Sequence, residues 1–160
     1  MNQTIHNPRG AFMVYFYRIA NIASRKKNKG FINMIWAYPL LLIYRTITEF
    51  LLGYEIPAAT QIGQGLFIDH GYGIVINKNS LIGKNCRIKH GVTIGCKTLN
   101  NGSQGKSPII GNNVDIGAHA IILGDIVIGD NIAIGAGAIV TTNIPSNSIV
   151  RSAHASIYKK

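Results

Sequence analysis

Aliphatic residues return at every sixth position through much of this 160-residue chain. Ile110, Ile116, Ile122, Ile128, Ile134 and Val140 keep the step, as do Ile82, Ile88 and Ile94, and before them Ile62, Ile68 and Ile74. Glycine follows many of them, among them Gly63, Gly83, Gly111 and Gly129. A period of six matches neither an α-helix nor a flat strand, and a helix would scatter these residues around its surface. A chain that turns a corner every six residues points all of them inward. Three such units close a triangular coil of about 18 residues. Stacked coils hydrogen-bond as parallel strands about 4.8 Å apart. Twelve units, hence four coils, are predicted across about 62–143.

The corners fit this geometry. The fourth position of the first unit in each coil holds Gly65, Asn85, Asn113 and Asn131, and that of the second unit holds Gly71, Gly91, His119 and Gly137. Gly and Asn tolerate positive φ, and His does so better than most residues. The period breaks twice. Two extra residues fall between Ile74 and Ile82, and ten between Ile94 and Ile110. The second insertion, Cys96 to Ser107, is polar and Gly-rich and leaves the prism as a loop, where function often resides. Cys86 falls on an inward small position and reads as an inert buried thiol.

Residues 8–53 have another texture. Phe12, Tyr15, Phe16, Ile19 and Ile22 recur near helical spacing, and Gly30 separates them from a second helical stretch, about Ile32–Leu52. The predicted organisation is a helical segment over 1–55, a prism over 56–144 and a tail over 145–160. Hydrophobic residues make up 47% and charged residues 14%, which excludes a disordered polyelectrolyte. The net charge of +10 is shared evenly between the halves, with one run, Arg25, Lys26, Lys27 and Lys29. No basic face or aromatic platform for nucleic acid emerges. Phe31 to Tyr44 is an uncharged run of 14 residues. That is short of the ~20 needed to cross a bilayer, so a buried or interfacial helix is predicted. Peripheral association with a membrane is the secondary reading for this helix and the basic run. Two cysteines make no disulfide framework and show no metal-ligand spacing, so no metal is expected. No secretory leader pattern opens the chain, and a reducing, cytoplasmic setting, with the inner membrane face as an option, is the expectation.

The repeats, the segment Asp69-His70-Gly71-Tyr72-Gly73-Ile74-Val75 and the loop after Val92-Thr93-Ile94-Gly95 resemble the hexapeptide acyltransferases of the serine acetyltransferase group. The stretches Trp36-Ala37-Tyr38-Pro39-Leu40-Leu41, Gly53-Tyr54-Glu55-Ile56 and Val75-Ile76-Asn77-Lys78-Asn79 resemble the branch that serves colanic acid and capsular polysaccharide biosynthesis. The resemblance covers about 10–150. It implies a mainly β fold, a left-handed parallel β-helix with an N-terminal α-helical segment, assembled as a homotrimer. It also implies acetyl-CoA as donor, held between neighbouring prisms, and a carbohydrate hydroxyl as acceptor.

O-acetyl transfer from a thioester needs a base for the hydroxyl proton and donors for the oxyanion. The resemblance puts His70 forward as that base, with the acceptor hydroxyl attacking the thioester directly and no acyl-enzyme formed. Glu55 stands where the family has a carboxylate that orients the catalytic imidazole, and Asp69 where the serine enzymes bind acceptor. The repeat count adds His90, which follows Ile88 as His70 follows Ile68 and is predicted to stack on it. Two imidazolium ions about 4.8 Å apart would repel by about 3 kcal/mol at an effective dielectric near 20, which favours a neutral base. The serine enzymes carry a His before the Pro that closes the loop. Ser107 precedes Pro108 here, so Ser107 is the substrate-side candidate. Ala118 and Ala136 are small enough for a pantetheine arm to approach the backbone, and Gly95 begins the shielding loop. Lys97, Lys106, Arg151, Lys159 and Lys160 are the candidates for the coenzyme phosphates. Two rivals stand beside the sugar O-acetyltransferase: a serine O-acetyltransferase, and a non-catalytic solenoid scaffold.

Overall fold

A computed structural model describes residues 8–152. Two α-helices and a short π-helical turn lead into a parallel left-handed β-helix of about five coils. Helix α1 spans Pro8–Lys26 and α2 spans Phe31–Arg45, and Thr46–Leu51 forms the π-helical turn. Pro8 opens α1 where its missing N–H costs nothing, and Arg25 and Lys26 complement the dipole at its end. Met13, Tyr17 and Ala20 lie four and three residues apart and form the buried stripe of α1. Gly30, at φ 124, lets the chain reverse into α2.

The prism has three faces. The first stacks β1 (Tyr54–Glu55), β4 (Ile74–Ile76), β7 (Thr93–Gly95), β10 (Ile121–Leu123) and β13 (Ile139–Val140). The second stacks β2 (Gln61–Ile62), β5 (Leu81–Ile82), β8 (Ile109–Ile110) and β11 (Val127–Ile128). The third stacks β3 (Phe67–Asp69), β6 (Arg87–Lys89), β9 (Asp115–Ile116), β12 (Ala133–Ile134) and β14 (Ile149–Val150). The ladders therefore reach beyond the 62–143 expected for four coils, to Tyr54 at one end and Val150 at the other. The aliphatic rungs are inside: Ile88, Ile94, Ile116 and Ile122 have no solvent exposure.

Corner conformations follow the sequence in all but one place. Asn85, Asn113 and Asn131 take φ of 55, 55 and 57, and Asn147 extends the column at 60. Their amides hydrogen-bond end to end, Asn85 to Asn113 at 3.3 Å, Asn113 to Asn131 at 3.0 Å and Asn131 to Asn147 at 3.1 Å. His119 is at φ 58, as expected of its corner. The exception is Gly71, since the positive φ of that corner belongs to Gly73 at 64.

The helices close the open end of the prism. The first coil has no coil beneath it, so its outward carbonyls need donors. Arg18 donates to the carbonyls of Ile62 and Gly63, Tyr17 to that of Thr60, and Asn21 to those of Ala58 and Thr60. Tyr44 donates to the Ile56 carbonyl at 2.6 Å. Burial pushes the Tyr17 and Tyr44 hydroxyls above the ordinary phenol range. Burial likewise raises the Cys86 thiol, which donates to the Gly111 carbonyl at 3.3 Å.

Candidate functional site

The two-residue insertion lies elsewhere than the spacing suggested. Ile68 pairs with Ile88 and Asp69 with Lys89, but Val75 pairs with Thr93 and Ile76 with Ile94. The offset between the coils is twenty before the corner and eighteen after it. The extra residues are thus His70 and Gly71, not residues between Ile74 and Ile82. They form a bulge at the corner joining the third face to the first.

This changes the partner of His90. The Gly91 N–H donates to the Tyr72 carbonyl, and the His119 N–H donates to the His90 carbonyl. The corner column therefore runs Tyr72, His90, Ala118, Ala136, and the expected His70–His90 ladder pair is replaced by Tyr72–His90. The ring that His90 meets edge-on is that of His119, with centroids 4.9 Å apart and planes at 89°. His90 Nδ1 is buried without a hydrogen-bond partner.

The bulge carries His70 out of the prism. Its side chain is 80% exposed, its φ is 49, and its Nε2 lies 3.5 Å from Asp69 Oδ1. Gly71 is buried directly above Tyr54, where a Cβ would overlap the Tyr54 hydroxyl and approach Ile68 Cγ2 to 2.5 Å. The Tyr72 ring rests on Gly53, whose amide carbonyl accepts from Gly73 N–H at 2.8 Å. Glu55 lies on the first face, in the strand that pairs with the stretch leaving the bulge. It is exposed on β1 and pairs with Val75, five residues past His70.

From the bulge the column continues into a groove of about 290 Å³ lined by Lys89, Asp115, Ala118, Ala136 and Arg151. Of the coenzyme candidates, Ala118, Ala136 and Arg151 are gathered there. Gly95 and Lys97 are not. Gly95 ends β7 on the first face, where the 96–107 loop leaves toward the second. Lys97, Leu99, Lys106, Gly124 and Asp125 line a separate cavity of about 470 Å³ beneath that loop. Lys106 is paired with Asp125 at 3.2 Å. Ser107 donates to Asn77 Oδ1 at 3.0 Å, and the Asn77 amide reaches Cys96 Sγ at 3.6 Å. Asn77 thereby ties both roots of the loop together. No spacing signal marked Asn77, Tyr54 or Tyr72 for these roles. Lys159 and Lys160 lie outside the described residues. Among the described residues, no group of three or more His, Cys, Asp or Glu could hold a metal ion.

Comparison with known proteins places this geometry. No family model matches the chain. WcaB of Escherichia coli (strain K12), named as a colanic acid biosynthesis acetyltransferase, is 46% identical over 145 residues, which cover 91% of this chain and 88% of WcaB. A serine acetyltransferase of Staphylococcus xylosus is 37% identical, covering 94% of this chain and 65% of its own. Among solved structures, Entamoeba histolytica serine acetyltransferase isoform 3 in complex with cysteine superposes with a TM-score of 0.76 at 34% identity, over 98% of this chain and 52% of that one. The Neisseria gonorrhoeae serine acetyltransferase in complex with serine gives 0.71 at 32% identity, over 92% and 56%. The chain thus spans about half the length of these crystallised serine enzymes and most of WcaB. By its β-helix, its looped corner and its 46% identity to WcaB over 91% of its length, the chain belongs to the WcaB/serine acetyltransferase family and is an acyl-transfer enzyme, an acetyltransferase.

Proposed function

We propose that the protein transfers acetyl from acetyl-CoA to a sugar hydroxyl of a bacterial capsular or exopolysaccharide unit. The observation that carries the acceptor class is the extent of the match: WcaB is covered over 88% of its length, the crystallised serine acetyltransferases over about half. Ser107, bonded to Asn77 at the root of the loop, supports the same reading, because it leaves no imidazole there for an amino-acid carboxylate.

His70 takes the acceptor proton on one ring nitrogen as the hydroxyl oxygen attacks the thioester carbonyl. The tetrahedral oxyanion then collapses, the C–S bond breaks, and the leaving sulfur takes the proton back from the imidazolium. Asp69, 3.5 Å from the ring, stabilises that imidazolium, and Glu55 flanks it from β1. The groove along Ala118 and Ala136 receives the pantetheine arm, with Lys89 and Arg151 available to phosphate. His90 supports the floor of the bulge through Tyr72.

The loop with Gly95, Lys97 and Ser107 leaves the corner between the first and second faces, whereas His70 and the alanine groove occupy the corner between the third and first. A whole face separates the two halves within one chain. A parallel homotrimer reunites them by setting one protomer's loop beside its partner's bulge.

Serine O-acetyl transfer is the second reading, favoured by the 37% identity to the Staphylococcus xylosus enzyme. Thiol release from acetyl-CoA, measured with exopolysaccharide-derived oligosaccharides and with serine, separates the two. Turnover on the saccharide alone is expected. Robust turnover on serine would overturn the acceptor assignment, and no turnover on any acceptor with an unchanged His70→Ala phenotype would favour a scaffold.

A further inference from the structure

The outer face of the helical cap is uncovered. Only Ala37 and Tyr44 of α2 are buried. Phe31, Ile32, Ile35 and Leu42 are 71%, 79%, 57% and 67% exposed. The rod continues without a break into the π-helical turn, where Phe50 and Leu51 are also exposed. Soluble proteins rarely leave contiguous apolar surface of this kind bare without a partner.

The charge around this surface is predominantly positive, and its one acidic residue, Glu49, is paired with Arg45 at 2.9 Å. Residues 8–52 carry seven Lys and Arg against one Glu, a net of +6. Arg25, Lys26, Lys27 and Lys29 occupy the end of α1 and the turn immediately before Phe31. Lys27 Nζ lies 5.9 Å from the ring centroid of Tyr38 on α2, so the cluster and the apolar face form one continuous surface.

We propose that α2 and the π-helical turn dock in the interface of an anionic phospholipid bilayer. The apolar side chains reach the acyl boundary, and the Arg25–Lys29 cluster lies among the lipid phosphates. Helix α2 has 15 residues and lies in the membrane plane. Among the described residues no helix is long and apolar enough to cross a membrane. A second copy of the chain is the competing occupant. It would press one +6 segment against another, whereas an anionic surface neutralises both the sign and the exposure. The turn leads directly to Gly53, on which Tyr72 of the bulge rests, so docking holds His70 close to the bilayer surface. The proposal does not depend on which acceptor is acetylated.

Trp36, the only tryptophan of the chain, lies on α2 and reports the contact. The full chain is mixed with phosphatidylglycerol/phosphatidylcholine vesicles and with phosphatidylcholine vesicles at low salt. Expected are co-sedimentation and a blue shift of Trp36 emission with the first alone, both reversed by salt. Lys26→Glu/Lys27→Glu/Lys29→Glu lowers partitioning on the order of 100-fold with unchanged melting. Ile35→Asp/Leu42→Asp, at two exposed positions, removes the blue shift. Equal binding to both vesicle types would overturn the proposal, as would the absence of binding to the anionic ones. A doubled solution mass without vesicles, lost in Ile35→Asp/Leu42→Asp, would give the face to a second copy instead.

Discussion

Alanine at Gly71 and alanine at Gly73 should damage the protein in different ways, although the two glycines share one bulge. At Gly71 the limit is space. A Cβ there overlaps the Tyr54 hydroxyl and meets Ile68 Cγ2 at 2.5 Å, and both side chains are fixed in the core at 0% and 2% exposure. Overpacking of this kind costs about 1–3 kcal/mol. Relief comes most easily by moving the bulge about 1 Å, which restores an ordinary carbon–carbon contact of roughly 3.5 Å. Because the bulge carries His70, a shift of that size should lower kcat on the order of 10²-fold. At Gly73 there is room, since the nearest atom is Gly91 Cα at 3.9 Å, but φ is +64. Alanine there should cost about 1–2 kcal/mol of stability with little effect on kcat, and Gly73→Asn should cost less. Steady-state thiol release and urea unfolding at one protein concentration read both quantities. Wild-type kcat and stability in Gly71→Ala, or a dead enzyme only in Gly73→Ala, would refute this reasoning.

Other outcomes follow from the same packing. Asn113→Ala removes ladder bonds of 3.3 and 3.0 Å and leaves alanine at φ 55, so urea unfolding should show a loss of about 2–4 kcal/mol, against about 1–2 for Asn113→Gly, which keeps the backbone conformation. Equal losses would remove the backbone from the explanation. In the native protein Ellman's reagent should titrate one thiol rapidly, the half-buried Cys96, and reach Cys86 only on unfolding, because burial disfavours its thiolate; equal rates would contradict this. Tyr17 and Tyr44 hold their protons more tightly folded than unfolded, so their contribution is complete below about pH 10 and is lost as pH rises further. Melting temperatures should fall above that pH, and Tyr17→Phe/Tyr44→Phe should flatten the decline.

The repeat was legible because each rung repeats one environment. Ile110 through Val140 could be assigned inward positions, and Asn85, Asn113 and Asn131 left-handed corners, from spacing alone. The insertion was not, for a specific reason. Ile74 and Ile76 alternate along one strand and are both buried, at 0% and 1%, so a count of six from Ile68 ends on a core residue whichever way the corner is built. Only backbone register shows that His70 and Gly71 are the added pair. The terminal strands were missed because the chain there drops the repeat, with Pro57 after Ile56 and Arg151 after Val150. The cap could not be read either: Arg18 reaches carbonyls 44 and 45 residues away, a distance that periodicity does not encode. At the site, the sequence put forward His70, Glu55 and Asp69, and it set Ala118 and Ala136 in one column; that Arg151 lines the same groove came from the structure. The sequence did not reveal that Ser107 is tied to Asn77, thirty residues away.

The role of His70 is tested most directly by kcat for thiol release in His70→Asn, with His90→Asn alongside. Asparagine tolerates φ 49, and the side chain it replaces is 80% exposed, so melting should stay near the wild-type value. Loss of the base should lower kcat by about 10²–10⁴-fold in His70→Asn and far less in His90→Asn. A His70→Asn enzyme that turns over at the wild-type rate, or an enzyme silenced only by His90→Asn, would contradict the assignment of the proton to the bulge.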